Sequence, residues 1–340
     1  MQLFCKGARS PGAIVLSVNE AVNEAWNGRE HPVVALLLFL EARGRSRAQI
    51  DRMQAAMGLP VTPLDNLTLV AVSAAAPMTV GDVASRLSVD LPRASRQIAR
   101  LHRMGLVVRE PDPRDRRSIR IRPTPEGEAA RTRWRGVWLS DYVKAVGDWP
   151  ADDIASFGAH LQALQASLMR QPGFTSPIFD APAATPSPAA DPRSPIDRFQ
   201  DVVAGFVQWA ATTVTSPHYI RTILARAESP VPRLATTVLR EIAARGPIDI
   251  TDLAHALNLD GSVASRQCTE LATHRLVQRH QHPQDGRRSV LTATFAGERL
   301  LSAIDLAQSE PVHAALRTWD AETLNECLTY VARFLKNLTR

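Results

Sequence analysis

Arginine, serine and glutamine side chains recur at helical spacing over 93–103, and they form the first pattern in the chain that could do chemistry. The residues are Arg93, Ser95, Arg96, Gln97, Arg100 and Arg103. Guanidinium groups suit phosphate oxygens and guanine edges, and a glutamine carboxamide suits the edge of adenine. The pattern therefore predicts a helix that contacts double-stranded DNA. An ordinary solvated helix face is the alternative.

A second arginine cluster follows in a short predicted turn, at Arg114, Asp115, Arg116 and Arg117. Like charges this close repel one another unless a polyanion binds them, so the cluster favours a nucleic-acid partner over simple solvation. Asp115 beside Arg117 is typical of an aspartate that orients an arginine towards a narrow minor groove. A structural salt bridge within the turn is the competing interpretation.

Helical and strand-like patterns surround the two arginine clusters. The pair Thr79 and Asp82 predicts the start of one helix. Apolar side chains then recur every three or four residues up to Gly105, which predicts a second helix with a buried inner face and a left-handed end. Strand-like runs at 106–109 and 118–122 flank the arginine turn. This order predicts a winged helix-turn-helix, whose second helix enters a major groove.

The same arrangement occurs twice in the chain. Adding 170 to each position in 82–128 reaches 252–298 without a gap, and 18 of these 47 positions are identical. By this correspondence, the DNA-facing candidates of the second copy are Ser262, Ser265, Arg266, Gln267, Asp285, Arg287 and Arg288. A repeat of this length predicts two similar units rather than one large domain.

The segment from Leu101 to Ser118, with Thr124-Pro-Glu-Gly127 after it, resembles the MarR family of bacterial transcription regulators. Members of that family are usually homodimers of chains about half this length. The resemblance implies a mainly α fold with small β-hairpin wings, in which two winged helix-turn-helix lobes join a shared helical dimerisation-like domain with pseudo-two-fold symmetry. It implies dimerisation helices at 19–57 and 125–168 in the first copy and at 196–226 and 295–338 in the second.

These patterns divide the chain into four parts. We expect an N-terminal tail at 1–18, a first MarR-like winged-helix unit at 19–170, a linker at 171–195 and a second unit at 196–340. The stretch 176–195 contains six prolines together with alanine and serine, a composition that cannot build a core.

The two copies are not equivalent in charge. Residues 79–128 contain 11 arginines and 7 acidic residues, whereas 249–298 contain 5 arginines and 6 acidic residues. The second copy also has Arg275 in place of Gly105 and Gly286 in place of Arg116, so we expect its helix end and its wing to differ. Since a covalent pair need not obey two-fold symmetry, the sequence predicts two unequal half-site readers. A second copy without DNA contact is the alternative.

The family resemblance also implies a small lipophilic or phenolic effector, bound where the dimerisation helices meet the DNA-binding lobe. The candidate pocket residues are Trp134, Trp138, Tyr142, Phe206 and Trp209. Ordinary core packing of these aromatic rings is the competing interpretation.

Composition argues against several other classes of protein. The three cysteines, Cys5, Cys268 and Cys327, match neither a disulfide framework nor a zinc site, and no catalytic motif occurs. No apolar run is long enough to cross a membrane, and no export signal is recognisable. We therefore expect a cytoplasmic protein without enzymatic activity, cofactor or metal, and its net charge of +6 suits a polyanionic partner.

Together these features predict a sequence-specific, DNA-binding transcription regulator, by its family a repressor, which acts as a monomeric single-chain pseudo-dimer. Its predicted partner is an imperfect palindrome or an asymmetric operator in double-stranded DNA. The alternative is a winged-helix protein for protein interaction or ligand sensing, with little DNA binding.

Overall fold

The computed structural model of the protein describes residues 31–87, 89–112, 119–174, 193–257, 259–282 and 285–339. The first copy contains α1 (Pro32–Arg45), α2 (Arg47–Met57), α3 (Pro63–Ala75), α4 (Val80–Leu87), α5 (Leu91–Arg103), β1 (Val107–Pro111), β2 (Ile119–Pro123), α6 (Pro125–Ala145) and α7 (Ala151–Met169). The second copy contains α8 (Pro195–Thr215), α9 (Pro217–Arg226), α10 (Arg233–Arg245), β3 (Ile248–Asp249), α11 (Ile250–Leu257), α12 (Gly261–Thr273), β4 (Val277–His282), β5 (Asp285–Ala293), α13 (Phe295–Leu316) and α14 (Ala321–Leu338). The predicted tail and most of the predicted linker lie outside the described residues.

The first helix of the helix-turn-helix begins where the sequence predicted, and the second begins at Leu91. The Thr79 N–H donates to Asp82 Oδ2 at 2.8 Å, and the Asp82 N–H donates to Thr79 Oγ1 at 3.1 Å. This capping box starts α4, and its hydrogen bonds hold the pKa of the Asp82 carboxyl below its usual range. Asp90 starts α5 by accepting a hydrogen bond from the Arg93 N–H at 2.7 Å. Because each cap joins residues three positions apart, local sequence is enough to predict it.

The end of the recognition helix is the same in both copies, contrary to expectation. Gly105 has a φ of 72° and Arg275 has a φ of 57°, so both adopt the left-handed conformation. For a residue with a Cβ this conformation costs roughly 1–2 kcal/mol. The surrounding backbone still imposes it, because the same hydrogen bond closes the turn after α5 and after α12.

The wings are antiparallel hairpins. In the first copy β1 pairs with β2, from Val107 opposite Pro123 to Pro111 opposite Ile119. The first strand therefore extends past the predicted range 106–109. In the second copy β5 pairs with β4 and also with β3, which makes a three-stranded sheet. The first copy has only an isolated bridge between Met78 and Ile121 at the position of β3. The two sheets thus differ at β3, whereas the predicted difference in the wing turns lies mostly outside the described residues.

The buried apolar residues form two clusters. The smaller one extends from Met53 to Trp134 and fills the first lobe, which we define as 59–134. The larger one joins α1, the end of α6 and α7 to the whole of the second copy. The second lobe, defined as 229–304, thus shares one continuous core with the helices that connect the copies. The first lobe has a separate core.

Aromatic side chains from both copies meet in this shared helical core. The Phe157 ring of α7 lies 5.5 Å from the ring of Phe199 in α8 and 5.1 Å from that of Phe334 in α14, measured between centroids. All three side chains are almost completely buried. The shared helical domain that the sequence predicted is therefore present, with α1, α6 and α7 packed on α8, α13 and α14.

Two equivalent glycines allow the long helices α6 and α13 to approach the backbone that follows α5 and α12 closely. A Cβ atom added to Gly127 would lie 2.1 Å from the carbonyl oxygen of Leu106, and one added to Gly297 would lie 2.2 Å from that of Leu276. Backbone atoms cannot yield to such an overlap as a flexible side chain can. The glycine at this repeated position is required by contact with the backbone.

Gly127→Ala is expected to lower the free energy of unfolding by about 1–3 kcal/mol, since α6 must move away from Leu106. Urea denaturation followed by circular dichroism measures the change. The matched control is Gly136→Ala in the same helix, where an added Cβ meets nothing within 4 Å. There the better helix propensity of alanine should add about 0.5–1 kcal/mol. Equal losses in the two variants would contradict the steric argument.

Candidate nucleic-acid interface

The outer face of α5 carries exposed side chains that the sequence assigned to DNA. The exposed residues are Arg93, Ser95, Arg96 and Arg103, whereas Ala94, Ile98 and Leu101 are buried on the inner face. Leu91, at the helix start, is 56% exposed and was missed, because periodicity assigns apolar residues to the core. An exposed leucine beside arginines suits the methyl group of thymine.

The second recognition helix, α12, has a similar face with less charge. Ser262, Ser265 and Arg266 are exposed, as predicted from the repeat. Gly261 and Val263 occupy the positions of Leu91 and Arg93. Arg266 of α12 therefore corresponds to Arg96, whereas Arg93 has no arginine counterpart in the second copy.

Gln97 and Arg100 are placed differently from the prediction. Both are partly buried and bind Asp65, a fully buried residue of α3. Gln97 Nε2 donates to Asp65 Oδ1, Arg100 Nε lies 3.0 Å from Asp65 Oδ2, and Arg100 Nη2 donates to the Pro60 carbonyl oxygen at 2.5 Å. In this structure both side chains bind Asp65, and their contact with DNA stays a prediction. Burial of the Asp65 carboxylate draws donors towards it.

The base of the first wing is held by an ion pair. Arg120 Nε lies 2.6 Å from Oδ2 of Asp112, which is buried. Arg109 and Arg122 on the strands are exposed. The predicted minor-groove cluster, Arg114, Asp115, Arg116 and Arg117, lies outside the described residues.

The two residues of this ion pair are absent from the equivalent positions of the second wing. Val290 and His282 occupy the positions of Arg120 and Asp112. Across its strands, His280 Nε2 instead forms a hydrogen bond with Thr292 Oγ1 at 3.0 Å. The backbone of β5 includes three predicted residues, Asp285, Arg287 and Arg288, whose side chains lie outside the description.

A cavity of about 540 Å³ separates the first lobe from α8 of the second copy. One wall consists of Trp134, Trp138 and Tyr142 on α6, all three predicted from the sequence. Four arginines also line it, namely Arg86, Arg93, Arg131 and Arg135. The cavity thus combines an aromatic wall with arginines, of which Arg131 and Arg135 are paired with Glu128 and Asp201, and Glu41 also lines it. Arg93 connects the cavity to α5. Sequence reasoning missed the arginines, because α4, α5 and α6 meet only in the folded lobe.

The other two predicted pocket residues belong to the core. Phe206 and Trp209 do not line this cavity and are almost completely buried. Their ring centroids are 5.7 Å apart, and the ring of Phe174 lies 6.2 Å from that of Trp209. The face of α8 that carries them turns towards the shared core, while Val207 and Ala211 face the cavity. Core packing, the competing interpretation, therefore applies to these two.

The equivalent positions of the second lobe have different chemistry. The aromatic wall is replaced by Ile304, Gln308 and Val312, and the arginines by Ala256, Val263, Leu301 and Asp305. An ion pair between Glu41 of α1 and Arg233 of α10 also joins this lobe to the shared core. Its equivalents in the first copy, Ala211 and Pro63, line the cavity and cannot form such a pair. Only the first lobe has this combination of aromatic and basic residues.

Metal binding, cysteine reactivity and membrane spanning have no support within the described ranges. No group of three or more histidine, cysteine or acidic residues there could hold a metal ion. Cys268 and Cys327 are buried and unpaired, and burial raises the pKa of the Cys327 thiol to about 12. Among the same residues, no helix is long and apolar enough to cross a membrane.

The geometry defines a class of protein, in which two winged helix-turn-helix lobes are joined by a shared bundle of helices. A sequence model described as the MarR family matches residues 59–118 and again residues 229–288. The two matches fall on the two lobes. The chain therefore contains two winged-helix units in tandem, each of which is similar in sequence to the MarR family.

Individual relatives cover one copy. An uncharacterized HTH-type transcriptional regulator of Bacillus subtilis (strain 168), YxaD, is 33% identical over 90 residues, which are 26% of this chain and 63% of the relative. The chain thus spans less than two thirds of that relative's length. Among solved structures, an S. aureus MepR mutant bound to oligodeoxyribonucleotide is 20% identical, with 34% of this chain and 84% of that one covered and a TM-score of 0.30. A mutant E. coli MarR complexed with operator DNA is 18% identical to this chain. The match covers 31% of this chain and 77% of that one, with a TM-score of 0.25.

Proposed function

We propose that this protein is a transcription regulator that binds a specific site in double-stranded DNA, and that it acts as a repressor. The observation that carries the proposal is the outer face of α5, where Arg93, Ser95 and Arg96 are exposed on a helix whose other face is buried. A helix of this kind fits a major groove, and its side chains reach base edges and phosphates. The MarR-type relatives, described as transcriptional regulators, support the same role.

We further propose that one chain supplies both half-site readers. Contacts across the shared core support this pseudo-dimer. Arg333 Nη1 lies 2.9 Å from Asp153 Oδ2, and Trp319 Nε1 donates to Ser167 Oγ at 3.1 Å, each pair joining one copy to the other. An interface of this kind normally forms between two subunits. Because the residues of α5 and α12 differ, the proposed operator is asymmetric or an imperfect palindrome, and the first copy binds it more strongly.

Salt dependence tests the proposed DNA binding. Each phosphate neutralised by arginine releases counterions, and the logarithm of the affinity then falls with the logarithm of salt concentration by about 0.9 per phosphate. We expect roughly a thousandfold loss between 50 and 200 mM salt if about six phosphates are bound. Fluorescence anisotropy with labelled genomic fragments measures it. Undetectable binding at low salt would contradict the proposal and favour a winged-helix protein of protein interaction or ligand sensing.

The cavity supports a proposed effector site beside the first lobe. A lipophilic or phenolic molecule with a negative group fits its aromatic wall and its arginines. Since the first lobe has its own core and lacks the Glu41–Arg233 ion pair, a ligand wedged against α8 can displace this lobe. Displacement would alter the separation of α5 from α12 and release the DNA.

Trp138→Ala is expected to weaken binding of 1-naphthoate, used as a probe of this chemistry, by at least tenfold. The reason is that Trp138 lines the cavity while part of its side chain remains accessible. Isothermal titration calorimetry measures the change. Gln308→Ala, at the equivalent position beside the second lobe, is the matched control and should leave binding unchanged. Equal weakening in both variants, or binding of two molecules per chain, would argue against a single site.

A further inference from the structure

The buried carboxylate of Asp65 is a group that the proposed DNA contacts do not use. It lies in the first turn of α3, with no exposed surface. Thr62 donates to its Oδ2 twice, from the backbone N–H and from Oγ1, each at 2.7 Å. The first of these bonds and the reciprocal bond from the Asp65 N–H to Thr62 Oγ1 at 3.2 Å form the capping box of α3. A cap alone needs one side of the carboxylate, so the other side is available to bind the recognition helix.

Two side chains of α5 occupy that other side. Gln97 Nε2 donates to Asp65 Oδ1, and Arg100 Nε lies 3.2 Å from Oδ1 and 3.0 Å from Oδ2. Arg100 also donates to the Pro60 carbonyl oxygen. The residues lie one turn apart on α5, so Asp65 holds the middle of the recognition helix against the start of α3. If Gln97 turned outwards to a base, the buried carboxylate would lose a donor, which is unfavourable.

The second copy keeps the glutamine but not its partners. Ala235 replaces Asp65, and Glu270 replaces Arg100. Gln267, the equivalent of Gln97, is partly buried, and its Oε1 is enclosed without a hydrogen-bond partner among the described residues. An enclosed carbonyl oxygen of this kind gains a hydrogen bond by turning outwards. The energetic preference of this glutamine is therefore opposite to that of Gln97.

We propose that Asp65 is a positioning residue that withdraws Gln97 from base reading and fixes α5, and that Gln267 is the specificity-determining glutamine of the protein. This inference rests on the proposed function. The outer-face residues Arg93, Ser95 and Arg96 then read the first half-site. Ser265, Arg266 and Gln267 read the second, where a glutamine carboxamide can bind the edge of adenine with two hydrogen bonds. Two helices that share the run Ala-Ser-Arg-Gln thus read different bases.

Selection of bound sequences from random double-stranded DNA tests this inference. The full-length protein, Gln97→Ala and Gln267→Ala are compared, and the enriched motifs are aligned. Gln267→Ala should lose the preference at one base pair of one half-site, with a drop of at least fivefold in discrimination. Gln97→Ala should retain every preference of the unchanged protein. Loss of a preference in Gln97→Ala, or an unaltered motif in Gln267→Ala, would overturn the inference.

A graft of the first-copy cluster into the second copy tests the role of the carboxylate. Ala235→Asp with Glu270→Arg supplies Gln267 with the partners that hold Gln97. The double variant should abolish the same base preference as Gln267→Ala while the glutamine itself is still present. Retention of that preference in a folded double variant would overturn the positioning role. If circular dichroism shows that the graft does not fold, the two glutamine variants decide the inference alone.

The outcomes also separate this inference from the function on which it rests. If the unchanged protein enriches no motif, sequence-specific DNA binding fails and the inference fails with it. If it enriches a motif that depends on Gln97, the proposed function stands and only the assignment of the two glutamines is wrong.

Discussion

Phe157→Ala is expected to lower the free energy of unfolding by about 3–5 kcal/mol. The Phe157 ring has no exposed surface and packs on Phe199 and Phe334, which belong to the other copy. Its removal leaves a cavity at the point where the copies join, and the neighbouring rings cannot close it without moving their helices. Since a typical domain is stable by about 5–15 kcal/mol, the loss is a large share of the total.

Chemical denaturation followed by far-ultraviolet circular dichroism measures this loss. The matched control is Phe295→Ala, the same substitution at the first residue of α13, where the side chain is 77% exposed. A substitution at such a surface site should change the free energy of unfolding by less than about 0.5 kcal/mol. A loss of similar size in both variants would contradict the view that the copies share one essential core.

Arg96→Ala is expected to weaken DNA binding about 5- to 150-fold, which corresponds to about 1–3 kcal/mol for a good contact between arginine and guanine. Arg96 is exposed on the outer face of α5, and its guanidinium forms no ion pair with another described residue, unlike that of Arg100, which pairs with Asp65. Anisotropy titration against the selected operator gives the affinity. The salt dependence then distinguishes a base contact from a phosphate contact, because loss of a phosphate contact also reduces the slope.

The control for this experiment removes an exposed arginine at the opposite end of α13 from the second wing. Arg317 is exposed and follows α13, a helix of 22 residues that begins beside the second wing. At 1.5 Å per residue, the helix separates Arg317 from that wing by about 33 Å. Arg317→Ala should leave the affinity unchanged within a factor of two. A comparable loss in both variants would indicate that net charge, rather than the face of α5, determines binding.

Local sequence was sufficient for part of each copy. The Thr79–Asp82 cap and the buried inner face of α5 involve residues within a few positions of one another, so spacing alone identifies them. The helices α3 and α10 were not predicted. The repeat predicted a second unit of the same kind, and the matches to the MarR family fall on both units. Local spacing did not predict the left-handed backbone of Arg275. The hydrogen bonds of the turn impose this conformation, although an arginine disfavours it.

The candidate interface was predictable only in part. Which of the polar residues of α5 turn outwards depends on what lies against the helix, and for Gln97 and Arg100 that is Asp65, which is more than thirty positions earlier. Helical spacing cannot identify such a partner. The same reason explains the pocket prediction, in which Trp134, Trp138 and Tyr142 line the cavity while Phe206 and Trp209 face the core.

By itself the sequence determined that the protein has two winged helix-turn-helix units, where the first helix of the first unit begins, and which unit carries more positive charge. These properties follow from spacing, from caps and from composition, which are local. Only the tertiary structure decided that the first lobe has a separate core beside a basic aromatic cavity, and that Glu41 joins the second lobe to α1 through Arg233. Such contacts join residues up to 192 positions apart, and burial and charge pairing between distant segments select them.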